Sequence, residues 1–184
     1  WRANDGLDSS AERAWSTFEQ TMAEAGLTVD PAWVRYDLSP ARPGSGWSAF
    51  RELWAAHRDS KPDGLLVLDD RLMREVAMGI LQTGLKVPEQ LLVVSHAARG
   101  SGIAYPFPVA EMVVDPDAMA QAKVDMLTEL MAGRPVAVRS VQIPMTWRVS
   151  AELTAADLVP QQPACSPHAS RPFVVHCGNA ASVT

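Results

Sequence analysis

The sequence predicts an α/β protein built on a parallel sheet, and three observations carry that prediction. Residues 62–95 read PDGLLVLDDRLMREVAMGILQTGLKVPEQLLVVS, which contains a strand, an acidic loop, a helix, a glycine stop and a second strand with no spare position. Upstream of this unit, stretches with apolar residues at helical spacing alternate with short extended ones, giving the order αβαβαβ. Finally, 47% hydrophobic residues in a chain of 184 are ample for the packed core of one domain, or one and a part.

Within the central unit, Leu65 to Leu68 and Leu91 to Val94 are short unbroken apolar runs. Such runs suit parallel strands covered on both faces. Between them Met73, Val76, Ala77, Ile80 and Leu81 recur at helical spacing, so one stripe of the helix can pack back on the sheet. Gly84 is the expected stop, because glycine adopts the left-handed conformation that closes a helix without a Cβ clash. Asp69 and Asp70 follow the carboxyl end of the first strand, the edge at which open α/β sheets bind ligands. Of the two, Asp70 reads more readily as the helix N-cap, leaving Asp69 to face a ligand.

A first helix is expected over 10–25, with Ala14, Phe18, Met22 and Ala25 on one stripe and Gly26-Leu27 as its stop. A short strand follows at 33–36. Next comes a loop rich in Pro, Gly and Ser, and then a helix whose expected buried residues are Trp47, Phe50, Leu53 and Trp54. After the central unit, residues 96–109 lack a helical stripe and read as a crossing loop stiffened by Pro106 and Pro108. A strand at 111–115 leads into a helix at 116–132, opened by Pro116 and closed by Gly133. Residues 136–143 and 145–149 read as extended segments at a sheet edge, since Pro144 cannot donate a ladder hydrogen bond. From Val159 the chain turns to Pro, Gln, Ser and Ala, so 151–184 is expected to be a poorly ordered tail with a short strand near 173–176.

Composition excludes several functions. Sixteen basic and 21 acidic residues give a net charge of −5, without the clustered Lys/Arg surface that nucleic-acid binding by this segment would need. No stretch approaches the roughly 18–20 uninterrupted apolar residues of a membrane-spanning helix. The chain opens at Trp1 with no basic-then-apolar leader, and so reads as starting inside a longer parent. The two cysteines, Cys165 and Cys177, lie near the end, so no disulfide framework organises the core and a reducing, cytoplasmic setting is expected. Together with His168 and His176 they could supply four zinc ligands by count, but adjacent ligands at 176 and 177 fit structural zinc spacings poorly. No metal or cofactor is expected.

DGLLVLDDRLMREVAMGILQTGLKVPEQLLVVS, the later VVDPDAMAQAKVDMLTELMAGRP and the closing IPMTWRVS together resemble the effector-binding core of the lactose-repressor and galactose-repressor family of bacterial regulators. The resemblance covers about residues 9–148. It implies a periplasmic-binding-protein-like three-layer α/β/α sandwich in which a small molecule closes between two lobes. By the same resemblance this chain is mostly the C-terminal lobe, 1–104 and 136–150, with an N-terminal-lobe segment at 109–133; residues 1–150 are then a partial effector-binding domain. The first part of the N-terminal lobe and the preceding helix-turn-helix are outside the chain. The helix at 116–132 would therefore lack its sheet partner and leave apolar surface to be covered.

The resemblance also places site residues. Asp69 matches a ligand-facing Asn of the family; an ionised Asp only accepts, and so would prefer sugar hydroxyls or a cationic group. The family's ligand-binding Asp falls on Ala97 or Ala98, so that carboxylate is missing, and His96 is the nearest substitute. The effector-contacting Arg matches Ala14, with Arg13 one residue away, about 100° around the helix. Trp47 is a further ligand candidate through ring stacking, whereas Trp54 reads as core or subunit contact. Met73, Ala77 and Met78 are candidates for a dimer surface on the helix after the acidic loop.

The expected function is thus the ligand-sensing and dimerisation domain of a DNA-binding transcriptional regulator, its effector a sugar or related metabolite, its DNA contact made only through the absent helix-turn-helix. Differential binding between two lobe arrangements would drive it, without catalysis. The alternative is a periplasmic-type sugar-binding protein of a transport system. An enzyme is not expected. The chain has no Gly-x-Ser-x-Gly elbow, no phosphate-binding glycine loop and no His-rich metal motif, and Asp69-Asp70 is its sole adjacent carboxylate pair near a strand end.

Overall fold

The structure, a computed structural model, describes residues 10–35, 38, 40–56, 61–134, 141–153 and 172–175, with the backbone alone at 10–14 and 172–175. Helix α1 (Ser10–Glu24) is followed by a 3-10 turn (Pro31–Trp33), strand β1 (Val34–Arg35) and helix α2 (Ser45–Ala56). The central unit is β2 (Gly64–Val67), α3 (Asp70–Thr83) and β3 (Leu92–Ala98). Then come β4 (Ala110–Val114), α4 (Pro116–Met131), β5 (Thr146–Val149) and β6 (Pro172–Val175).

Local chemistry sets the ends of these elements. Gly84 closes α3 at φ 70°, its N–H returning to the Leu81 carbonyl at 3.1 Å. An L-residue would pay a steric penalty in that left-handed conformation. At α4, Gly133 and Arg134 make paired backward bonds to the carbonyls of Leu130 and Glu129. This is the double closure expected of a glycine just past a helix end. Pro116 sits at the first turn of α4, where its missing N–H costs nothing.

The six strands form one sheet in the order β1-β6-β2-β3-β4-β5. All neighbours are parallel except β4 and β5. Strand β5 is an edge strand, as the nearby Pro144 suggested. Strand β4, within the segment set apart as N-terminal lobe, pairs with β3 from Val94↔Ala110 to Ala98↔Val114 and so continues the same sheet. Helix α4 stands off it, with no buried residue.

Helices α2 and α3 pack together on one sheet face. Phe50 and Leu53 of α2 meet Leu72, Met73, Val76 and Ile80 of α3 over Leu65, Val67 and Val93, all essentially excluded from water. Each such side chain contributes about 1.5–3 kcal/mol of burial energy. Two glycines let the helices approach. A Cβ on Gly46 would lie 2.7 Å from the Leu72 carbonyl oxygen, and one on Gly79 would lie 2.9 Å from the Phe50 ring. Glu75 locks the contact by accepting the N–H groups of Gly44 and Gly46, each at 2.8 Å.

Several expectations are corrected by this packing. Burial alternates along β2 and β3, so one face is covered and the other is only partly covered. Leu81, expected in the buried stripe of α3, is 55% exposed; Leu72 takes part in its place. Trp47 is half-buried rather than core, whereas Trp54, also half-buried, packs against the core with its ring stacked on Phe50. Strand β3 runs four residues past the expected end, because β4 extends its ladder to Ala98. His96 therefore lies inside a strand and not on a loop.

The expected apolar surface on α4 is present: Val124, Leu127, Leu130 and Met131 are exposed. Residues 172–175 form β6, within one position of the strand expected at 173–176. The remaining expectation of weak order in the tail, and the group Cys165, His168, His176 and Cys177, lie outside the described residues.

Candidate functional site

Three strand ends, those of β2, β3 and β4, bring a row of charges to the carboxyl edge of the sheet. Asp69 follows β2 in extended backbone and caps α3; its Oδ1 accepts the N–H groups of Arg71 at 2.9 Å and Leu72 at 3.2 Å. Its Oδ2 accepts from the Arg71 guanidinium at 3.1 Å. Burial alone would push the Asp69 carboxyl up. The bonds from the Arg71 side chain and the Leu72 N–H outweigh it and hold the group below the ordinary carboxylate value. Asp69 is accordingly ionised at neutral pH, with most of its acceptor capacity already used.

The cap thus belongs to Asp69, and the expectation that Asp70 would provide it is corrected. Asp70 occupies the first helical position, and its Oδ2 accepts the N–H of Ala98 at 3.2 Å. That bond fastens the start of α3 to the end of β3. One residue further on, Arg99 pairs with Asp115. Asp115 in turn caps α4, accepting from Asp117 N at 3.0 Å and Ala118 N at 3.1 Å. The edge therefore repeats one device: an Asp that caps a helix, held by an Arg. Arg71 and Arg99 keep 66% and 58% of their side chains exposed.

Chemically, this edge offers carboxylate acceptors beside guanidinium donors on strand ends about 4.8 Å apart. Such alternation can replace the water shell of a ligand rich in hydroxyl groups, or engage an anionic group through the arginines. Asp115 was legible in the sequence, since Asp-Pro before an amphipathic stretch is an N-cap signal. Arg99 was not. Its role depends on β4 lying beside β3.

The other expected ligand residues do not join this row. His96 is half-buried within β3, registered against Met112 of β4. Trp47 donates its indole N–H to Gln82 at 2.8 Å, in the last turn of α3 and thus at the end opposite Asp69. Its ring is also covered by the Arg51 guanidinium, 4.7 Å from the ring centroid. Arg13 lies in the first turns of α1, where only the backbone is described.

The dimer candidates divide. Met73 at 0% and Ala77 at 4% exposure are enclosed in this chain's own core and cannot reach a partner, whereas Met78 is 56% exposed. Leu81, one turn on, is exposed beside it in helical order.

Among the described residues, two of the clefts lie beside the strands of the sheet. One, of about 300 Å³, lies past the end of β1 and is lined by Arg35, Arg42, Ser45, Ser48 and Glu52. The other, of about 640 Å³, opens between the 100–109 loop and the β4–β5 edge. Its wall carries the Glu111–Arg148 ion pair at 2.6 Å. Tyr105 packs beside it with a buried hydroxyl that has no hydrogen-bond partner of good geometry. The neighbouring Ser95 Oγ donates to the His96 carbonyl instead, at 3.0 Å. Burial, opposed in part by the nearby Ser95 and reinforced by Glu111 and Asp70, pushes the Tyr105 hydroxyl up to about 12. Among the described residues no group of three or more His, Cys, Asp or Glu could hold a metal ion, and no helix is long and apolar enough to cross a membrane.

Comparison with known proteins agrees with the architecture. A protein assigned as a transcription regulator from Staphylococcus saprophyticus subsp. saprophyticus superposes with a TM-score of 0.57 at 17% identity, over 80% of this chain and 53% of that one. The Escherichia coli transcriptional repressor AscG superposes with a TM-score of 0.53 at 16% identity, over 79% and 51%. The chain thus spans about half the length of these solved structures. No curated protein matches its sequence. The model of the periplasmic binding protein-like domain matches residues 2–151. With that match over most of its length and a mostly parallel α/β sheet, the chain belongs to the periplasmic binding protein-like domain family.

Proposed function

We propose that this chain is the ligand-sensing part of a cytoplasmic, DNA-binding transcriptional regulator, with a sugar or related small polar metabolite as effector. The observation that carries the reading is the charged carboxyl edge, Asp69–Arg71 beside Arg99–Asp115, in a fold of the periplasmic binding protein-like family. Edges of this kind are where open α/β sheets take small ligands. Supporting it, both solved structures described above carry the name of a transcription regulator or repressor.

The mechanism needs no catalysis. A ligand that binds one arrangement of the lobes better than another shifts their populations, and attached DNA-binding heads follow. Further ligand contacts would come from the remainder of the N-terminal lobe. The apolar face of α4 at Val124, Leu127 and Leu130 is the surface on which that remainder would pack. Subunit contact would use Met78 and Leu81, giving a homodimer.

The test is calorimetric titration of the full-length protein, carrying its own upstream segment, with a panel of monosaccharides and sugar phosphates, alongside Arg99→Ala and Met78→Glu variants. Saturable binding that weakens at least tenfold in Arg99→Ala, and a monomer in Met78→Glu, are expected. Binding unaffected by Arg99→Ala would remove the edge from the ligand site. An upstream secretion leader in place of a helix-turn-helix would replace regulation with transport.

A further inference from the structure

The charged carboxyl edge leaves its two signs of charge unequally open to a ligand. Asp69 and Asp115 are turned inward, with side chains 15% and 30% exposed. Each gives one oxygen to two helix N–H groups and the other to its arginine. Asp70 is committed as well, through its Oδ2 to the Ala98 N–H. Between them the end of β3 supplies Ala97 and Ala98, whose side chains accept nothing. The guanidiniums of Arg71 and Arg99, by contrast, are mostly exposed. On the basis of the sensing role proposed above, we propose that the effector is an acid: a small metabolite whose carboxylate or phosphate docks on Arg99, with Arg71 as the second cationic contact, and that neutral sugars are not its ligands.

Arg99 is held for this task at both ends. Its N–H donates to the Val114 carbonyl at 2.8 Å, continuing the β3–β4 ladder, and the chain then turns, the Ser101 N–H returning to the Ala98 carbonyl at 3.1 Å. That turn needs a left-handed residue directly after Arg99, and Gly100 supplies it at φ 82°. At its tip the guanidinium pairs through Nη2 with Asp115, which α4 fixes in turn. A head group fixed on one side and open on the other loses little freedom when it binds. Among the described residues Arg99 has no second carboxylate partner, and the planar fork of five N–H donors suits the paired oxygens of an acid. Strand β3 lies beside β2, so one strand spacing, about 5 Å, separates the Arg99 turn from the Asp69–Arg71 corner. One small acid can span that gap. The aspartates do not turn an anion away, because the positive ends of α3 and α4 and the paired arginines offset their charge. A neutral sugar would need acceptors for its hydroxyl protons, and those of Asp69 and Asp115 are committed.

The experiment is calorimetric titration of the full-length protein with two panels. One holds neutral sugars: glucose, galactose and ribose. The other holds acids, both sugar phosphates (glucose 6-phosphate, ribose 5-phosphate) and carboxylates (malate, citrate, gluconate). Saturable binding is expected from the acid panel, and the half that supplies it tells phosphate from carboxylate. Affinity should fall at least tenfold in Arg99→Ala, recover in part in Arg99→Lys, and weaken as salt rises from about 0.05 M to about 0.5 M. Arg71→Ala, which leaves the Asp69 cap of α3 in place, should weaken it severalfold and serves if Arg99→Ala does not fold. Asp69→Asn, which removes a negative charge beside Arg71, should bind the acid more tightly. Saturable binding of a neutral sugar in place of an acid overturns the inference and leaves the sensing role standing. So does binding of an acid that neither the arginine variants nor salt weaken, or that weakens in Asp69→Asn. No saturable binding from either panel removes the sensing role together with the inference.

Discussion

Replacing Asp69 separates the role its position shows, capping a helix, from the one proposed for it, facing a ligand. In Asp69→Ala, the N–H groups of Arg71 and Leu72 lose the acceptor now 2.9 and 3.2 Å away. Loss of an N-cap of this type costs about 1 kcal/mol, within a range of roughly 0.5–2. The Arg71 pair is mostly solvent-facing, with the Arg side chain 66% exposed, and adds no more than about 0.5 kcal/mol after screening. The expected total is about 1–2 kcal/mol. With a urea dependence near 2 kcal/mol per molar, the unfolding midpoint falls by about 0.5–1 M.

Asp69→Asn keeps the capping oxygen and loses only charge, so its expected cost is a few tenths of a kcal/mol. The pH dependence adds a sign. A carboxyl held below its unfolded value of 3.8 contributes stability that is present above that value and lost as pH falls through the folded one. The small difference between wild type and Asp69→Asn should therefore vanish in acid. Urea unfolding followed by far-ultraviolet circular dichroism measures all of this. The capping argument fails if Asp69→Ala is stable to within about 0.3 kcal/mol, or if Asn and Ala cost the same. Ligand titration of the full-length protein then completes the test: a stable Asp69→Asn that binds more weakly puts the carboxylate's charge in the site.

Three further outcomes follow from the packing. Gly46→Ala should destabilise by about 1–3 kcal/mol, because its Cβ would meet a backbone oxygen of α3 at 2.7 Å; the strain exceeds the sub-kilocalorie helix gain of alanine, and a stabilised variant in urea would contradict the contact. Tyr105→Phe removes a buried hydroxyl that lacks a good partner, so it should be neutral or stabilising by about 1 kcal/mol. Since the folded hydroxyl titrates near 12 against an unfolded value of 10.0, its contribution is intact below pH 10 and is lost as pH rises toward 12. That part of the alkaline decline in the unfolding midpoint should be absent from Tyr105→Phe. Arg148→Ala should cost about 1–3 kcal/mol by leaving Glu111, 12% exposed, without its guanidinium, and Glu111→Gln in the same chain should recover part of the loss.

How much could be read in advance depends on the range of the forces involved. The βαβ unit at 62–95, the glycine stops at Gly26, Gly84 and Gly133, and the proline start of α4 were legible, because each rests on backbone preferences of a few adjacent residues. Phe50, Leu53, Met73, Val76 and Ile80 were legible as a core for a related reason: helical periodicity alone sorts them onto one face. The same signal erred where a face is shared. Periodicity could not say that Leu81 stays exposed, or that Met73 and Ala77 are used up inside the chain before any partner arrives.

The candidate site was half legible for the same reason. Two adjacent carboxylates after a strand mark a charged carboxyl edge, but which one caps is settled by a rotation of one residue, and Asp70 is claimed by the Ala98 N–H only after β3 has docked. His96 passed for a loop residue because its strand is extended by β4. Arg99–Asp115, Glu111–Arg148 and Glu75 with Gly44 and Gly46 join residues distant in sequence. The residues alone determined the class of fold, the order of its helices and the edge that carries charge. Only the tertiary structure decided which side chains meet there, and that the sheet admits its final strand between the first two. Those pairings depend on which strands lie side by side, a choice governed by the packing of the whole sheet rather than by the preferences of any short segment.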